Sequence, residues 1–183
     1  MQNQGVIQMA INKYGGGART NKNGLLFEQE TSLEEALVNA GYIITDRNIV
    51  KDRYGNCLGI IAPKYAFYRH ILEPEGIDWQ NCISKRLLPD EAFLNFTNKT
   101  VYIIEKKFQH DAGSVDEKLQ TCDFKKKQYQ KLLYNTPYDV EYLYVCNDWF
   151  KQSCYRDVHE YIESVGCHIF FNEIPLDFLE LTT

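Results

Sequence analysis

Asp90, Glu105, Lys106 and Lys107 have the types and spacing to do chemistry together. They belong to the stretch LLPDEAFLNFTNKTVYIIEKKF, residues 87–108, in which Asp90 opens one apolar run and Glu105-Lys106-Lys107 closes a second. Side chains alternate faces along a strand. If residues 101–108 are extended, Val101, Ile103, Glu105 and Lys107 share one face, and Tyr102, Ile104, Lys106 and Phe108 share the other. A carboxylate and an ammonium then project together from the end of an apolar strand. Asp90, at the start of the neighbouring run, places a second carboxylate beside them. Two carboxylates near an ammonium can hold Mg²⁺, which takes hard oxygen ligands and keeps waters for substrate phosphates. The bland alternative is a surface hairpin with solvated charges.

Patterns on either side of this stretch predict the helices and strands that hold it. In LLFEQETSLEEALVNAG, residues 25–41, Leu26, Leu33, Leu37 and Ala40 recur at helical spacing and Gly41 supplies a stop, which predicts a helix over 25–40. Thr31 and Ser32 ahead of Glu34 and Glu35 also fit a capping box, so a break there is open. Glu28 in the first turn has an ordinary use in offsetting the helix dipole. Residues 1–23 show little pattern. Gly15-Gly16-Gly17 supplies freedom and Arg19 and Lys22 supply charge, which suits a surface loop or a flexible basic arm that closes on a phosphate backbone. Tyr54-Gly55-Asn56 reads as a turn between strands, residues 65–72 as a short helix and residues 72–76 as a loop.

Downstream, Gln109 continues the Glu105–Lys107 face. Ser114 with Glu117 three positions later starts a helix that runs to about residue 134. Leu119, Phe124, Tyr129 and Leu132 are expected on its inner surface, with Lys118, Lys125, Lys126 and Lys131 solvated. Residues 139–145 are a buried strand by their β-branched and aromatic content. Residues 155–165 are a helix stopped by Gly166, and 167–171 a further strand. Strand, helix, strand with short connections indicates parallel pairing.

At 183 residues the chain suits a single domain with a sizeable core, and 44% hydrophobic with 25% charged residues is ordinary for a globular protein. No apolar run approaches the roughly 20 residues of a membrane helix, and no secretory leader is visible, so a cytoplasmic protein with no membrane partner is expected. The six cysteines form no C-x₂-C pair, which argues against a zinc ribbon and for free thiols. Asn-x-Thr at Asn95 and Asn98 then reads as chance. The net charge of −5 runs against a nucleic-acid partner, although Lys85-Arg86, Lys106-Lys107 and Lys125-Lys126-Lys127 cluster locally.

Pro89-Asp90, a spacer, and then Glu105-x-Lys107 at a strand end resembles the PD-(D/E)XK nuclease superfamily. The string from Asn23 to Glu28 is similar to the opening of that superfamily's first core helix, whose glutamate commonly points at the metal site. Residues 105–131, EKKFQHDAGSVDEKLQTCDFKKKQYQK, are similar to type II restriction endonucleases, which often follow the acid-x-Lys strand with a Gly-Ser loop and a Lys-rich helix. The likeness covers residues 23–174.

The resemblance implies an α/β, restriction endonuclease-like fold with a mixed central sheet flanked by helices on both faces. It implies a Mg²⁺-dependent, sequence-specific endonuclease acting on double-stranded DNA as a homodimer. Asp90 and Glu105 would bind the metal, with the backbone carbonyl of Lys106. Lys107 would orient or deprotonate the attacking water, and Glu28 would support a second metal or a water. Arg19, Lys22, Lys85, Arg86 and Gln109 would contact DNA. A structure-specific repair or junction-resolving nuclease is the alternative within the class, and a catalytically inactive DNA-binding module the alternative outside it.

Overall fold

The computed structural model describes residues 17–111 and 115–181, without the side chains of residues 17–22 and 115–116. The helix expected over 25–40 is two helices, α1 (Gly17–Glu30) and α2 (Leu33–Asn39). The break lies at Thr31-Ser32. Thr31 Oγ1 donates to Phe27 O at 2.6 Å, and Ser32 Oγ accepts the Glu35 N–H at 3.4 Å as the cap of α2. Gly41, at φ 90°, ends α2 in the left-handed region. Residues 1–16 of the expected arm lie outside the described residues, and residues 17–23 are the first turns of α1.

Seven strands form one sheet whose spatial order is the chain order. β1 (Ile43–Ile44), β2 (Ile49–Lys51), β3 (Cys57–Ile61), β4 (Glu91–Asn95) and β5 (Thr100–Lys107) make an antiparallel meander. β6 (Asp139–Cys146) then pairs parallel with β5, and β7 (His168–Phe171) parallel with β6. The crossovers carry α3 (Val115–Leu119), α4 (Cys122–Leu132) and α5 (Arg156–Ser164). Between β3 and β4 the short helix expected at 65–72 is a π-helical turn, Tyr68–Leu72. At Gly59 in β3, a Cβ would lie 2.3 Å from Leu94 O and 2.4 Å from the Phe93 ring, so only glycine lets β4 approach this closely.

The alternation along β5 sorts two cores. Val101 and Ile103 pack towards α4 and α5 with Tyr129, Tyr142, Tyr144 and Ile162. Tyr102 and Ile104 pack towards α1 and α2 with Phe27, Leu33 and Leu37. The sheet is therefore mixed and covered on both faces, as expected for the α/β class. The single helix expected over 114–134 is divided into α3 and α4, which corrects one inward residue. α4 restarts at Cys122 and takes its phase from Cys122, Tyr129 and Leu132, which leaves Phe124 on the far side, 63% exposed.

Asn95 is buried in the β4–β5 turn, donating to Leu179 O at 3.0 Å and accepting the Thr97 N–H at 2.8 Å, a structural role that explains its type there. All six cysteines are free thiols. Among the described residues no helix is long and apolar enough to cross a membrane.

Candidate active site

The site forms where β5 outruns β4. Glu91, the first residue of β4, pairs with Ile104, so β5 continues past it from Glu105 to Lys107 with β6 on its other side. The Lys106 N–H on the open side needs an acceptor. Asp90 supplies it through Oδ2 at 2.9 Å. Ala92 and Leu94 face the α4 side, and Asp90, two residues before Ala92, is carried to the same face as Glu105. Lys107 completes the group. Its Nζ lies 3.1 Å from Glu105 Oε2, 3.0 Å from Lys106 O and 3.9 Å from Asp90 Oδ2. Asp90, Glu105 and Lys107 therefore converge, and one ammonium reaches both carboxylates.

Lys106 points through the sheet to the opposite face, as the alternation requires. Its Nζ donates to Glu91 Oε1 at 2.9 Å and to Glu28 O at 3.0 Å, and its side chain is 5% exposed. Lys106 thus fastens α1 to the sheet. Glu28 contributes that main-chain carbonyl, while its exposed side chain lines an open cleft shared with Lys64, Asp90, Glu91 and Lys106.

Two lysines join the site that sequence reasoning did not place there. Lys64, in the loop after β3, forms an ion pair with Asp90 Oδ1. Lys125 reaches down from α4 to Glu105 Oε2 at 3.1 Å. This corrects the reading of the α4 lysines as solvated: Lys126 is also engaged, with Glu141 at 3.2 Å and Gly166 O at 2.6 Å. A signal for Lys125 existed, because it precedes the inward Tyr129 by four residues and so shares its helix face. Lys64 has no comparable local signal.

The carboxylates sit against a buried aromatic floor. Tyr129, Tyr142 and Tyr144 are fully buried, with centroids 6.4 Å apart for Tyr129–Tyr142 and 5.4 Å for Tyr142–Tyr144. Lys107 Nζ lies 5.6 Å from the Tyr144 ring centroid. Burial pushes all three hydroxyls well above the ordinary tyrosine range, with the Glu105 charge adding to the effect, so the floor stays neutral. Ionic contacts above such a floor are strengthened by the low local dielectric. Burial alone would push the Asp90 carboxyl up. The Lys64 ammonium, the Lys106 N–H and Lys107 outweigh it and hold that carboxyl below its ordinary value.

The expected DNA contacts are distributed unevenly. Lys85 and Arg86 are exposed in the segment leading to Asp90. The Arg86 guanidinium is stacked over Trp79, Tyr68 and Tyr65, 4.6, 4.9 and 5.8 Å from their ring centroids. Arg19 and Lys22 fall on α1, with side chains outside the described residues. Gln109 requires a correction, since it is only 4% exposed and is not a surface contact. β5 ends at Lys107, so alternation stops there. The chain then turns inward, with the Gln109 N–H donating to Asn147 Oδ1 at 3.1 Å and Asn147 Nδ2 donating to Gln109 O at 2.8 Å.

Among the described residues no three His, Cys, Asp or Glu side chains converge as a ready-made metal cluster. The oxygen donors at the strand end are the Asp90 and Glu105 carboxylates and the Lys106 carbonyl. That set of hard oxygens suits Mg²⁺ with water completing its shell. Compared with known proteins, the chain matches no family model, no curated protein and no solved structure. The functional reading therefore stands on the site and on the resemblance of its motif.

Proposed function

We propose that this chain is a Mg²⁺-dependent endonuclease that cuts double-stranded DNA at a specific sequence, in the manner of a type II restriction enzyme. The reading includes a restriction endonuclease-like form of the α/β fold and a cytoplasmic homodimer. The observation that carries it is the convergence of Asp90, Glu105 and Lys107 at the end of paired strands, with Lys107 Nζ 3.1 Å from Glu105 and 3.9 Å from Asp90.

Asp90, Glu105 and the Lys106 carbonyl would hold Mg²⁺, which when bound acidifies a water and offsets charge on the scissile phosphate. Lys107 orients the attacking water as an ammonium, or takes its proton as the neutral amine and becomes the ammonium, and either way places positive charge where the phosphate becomes more negative. Lys125 holds Glu105 from above and adds to that field. Arg86, steadied by three rings, presents a guanidinium to a phosphate or a base edge. One site per chain cuts one strand, so two chains related by a two-fold axis match a symmetric duplex site.

Digestion of a defined plasmid with Mg²⁺, followed by sequencing of the ends, tests the reading. Discrete cuts at one short sequence are expected, and none with Asp90→Asn. Cutting of branched substrates with the plasmid intact favours the junction-resolving alternative. No cleavage of plasmid, branched or single-stranded DNA overturns the enzyme.

A further inference from the structure

The two oxygens of Asp90 have different neighbours. Oδ2 is tied to the Lys106 main-chain N–H at 2.9 Å, and Oδ1 takes the Lys64 ammonium. From the cleft the Asp90 carboxylate is reached at Oδ1, where Lys64 sits, whereas Lys107 Nζ lies on the Oδ2 side at 3.9 Å. The main chain of Lys64 is pinned: its N–H donates to Pro89 O at 2.9 Å, and its φ of 51° lies in the left-handed region that a lysine adopts only under constraint. Its side chain is not pinned. It is 52% exposed, and among the described residues its ammonium has no hydrogen-bond partner besides Asp90. Lys106 and Lys107 differ in both respects, each being largely enclosed and held by two or more acceptors.

We propose that Lys64 holds the cation position on Asp90 while no divalent metal is bound, and that it turns to a phosphate of the DNA backbone once the metal takes Oδ1. This rests on the endonuclease reading above. The strained, anchored backbone sets where the ammonium swings from, and the open cleft beside Asp90 sets where it can go. An ammonium and a divalent cation repel each other, so they compete for one carboxylate oxygen. In a DNA complex the released ammonium has two anions to turn to, the Glu28 carboxylate that lines the same cleft and a backbone phosphate, and the phosphate is the one whose contact the salt dependence reads.

Calorimetric titration of the full, DNA-free chain with Mg²⁺ tests the first half. Lys64→Met should bind Mg²⁺ more tightly than wild type, by roughly two- to fivefold, the range for one exposed competing ion pair. Lys64→Arg should bind as wild type. If Lys64→Met does not fold, Lys64→Gly, which favours the left-handed backbone, carries the same measurement. Equal or weaker Mg²⁺ binding by the folded variant overturns the inference. Binding that is unchanged by Asp90→Asn shows instead that the metal assignment has failed, and the inference falls with it.

The salt dependence of binding to a duplex that is not cut tests the second half. Lys64→Met should lower the slope by about one phosphate contact when Mg²⁺ is present, and leave it unchanged without the metal. An equal loss in both conditions, or none in either, overturns the switch.

Discussion

The main-chain N–H of Lys106 donates to Asp90 Oδ2 at 2.9 Å. This bond joins the residue that leads into β4 to the overhanging end of β5, and it brings the Asp90 carboxylate beside Glu105 and Lys107. One backbone donor, left open because β4 is shorter than β5, thereby assembles the candidate site.

Replacing either acid should remove cleavage, but the two positions differ in stability. Glu105 is only 7% exposed and is the partner of both Lys107 and Lys125. Glu105→Ala takes the carboxylate from Lys125 and leaves Lys107 with the Lys106 carbonyl and Asp90, and should cost about 1–3 kcal/mol of folding stability. Glu105→Gln keeps the shape and should cost less while still lacking cleavage. Urea titration beside a plasmid assay separates the effects, and near-normal cleavage by either acid variant at saturating Mg²⁺ would disprove the metal assignment.

Lys106 and Lys107 should divide structure from rate. Lys107→Ala should slow cleavage roughly 10²–10⁴-fold, the usual contribution of a positioned proton-transfer group. Lys106→Ala removes one hydrogen bond to Glu28 O on α1 and one to Glu91 on β4, and should lower stability by about 1.5–3 kcal/mol with a mild effect on single-turnover rate. Thermal melts and single-turnover kinetics of both variants give the ranking. The reverse ranking would place Lys106 at the chemistry.

Acid should weaken the fold through Asp90. Its folded carboxyl lies below the ordinary value of 3.8, because Lys64, the Lys106 N–H and Lys107 together outweigh burial. Between the two values the unfolded chain binds more protons, so stability rises with pH there. The Asp90 contribution is complete above the unfolded value and is lost as pH falls through the folded one. Urea denaturation from about pH 5 to about pH 2 should show a steeper loss for wild type than for Asp90→Asn. Parallel acid limbs would mean that the Asp90 ion pairs do not differ between folded and unfolded states.

Gly59→Ala should be costly although it adds a single methyl. The new Cβ would meet Leu94 O and the Phe93 ring well inside van der Waals contact. Overpacking of this kind costs roughly 1–3 kcal/mol, and it would push β3 away from β4 upstream of Asp90. Denaturant midpoints measure the loss. An unchanged midpoint would show that β3 can move aside freely.

The local order of the chain follows from residue pattern alone. Period-two alternation placed Glu105 and Lys107 on one face and Lys106 on the other, because a strand admits no other arrangement of successive side chains. Thr31-Ser32 and Gly41 marked the ends of helices through hydrogen bonding and a positive φ that need no distant partner. The order of strands and crossovers then defined a mixed α/β sheet. Alternation failed at Gln109 because β5 had already ended, and helical phase failed at Phe124 because α4 restarted at Cys122.

Which lysines meet the carboxylates depends on long-range packing. Lys64 lies 26 residues from Asp90 in the chain, and Lys125 lies 20 from Glu105. Helical phase marks Lys125 as sharing the face of Tyr129, but neither separation names the acid that is met. Each contact exists because a β3 loop is held to Pro89 and because α4 packs Tyr129 onto the sheet. Long-range packing settles such pairings, since the ammonium of a lysine looks the same in sequence whether it faces water or a buried acid.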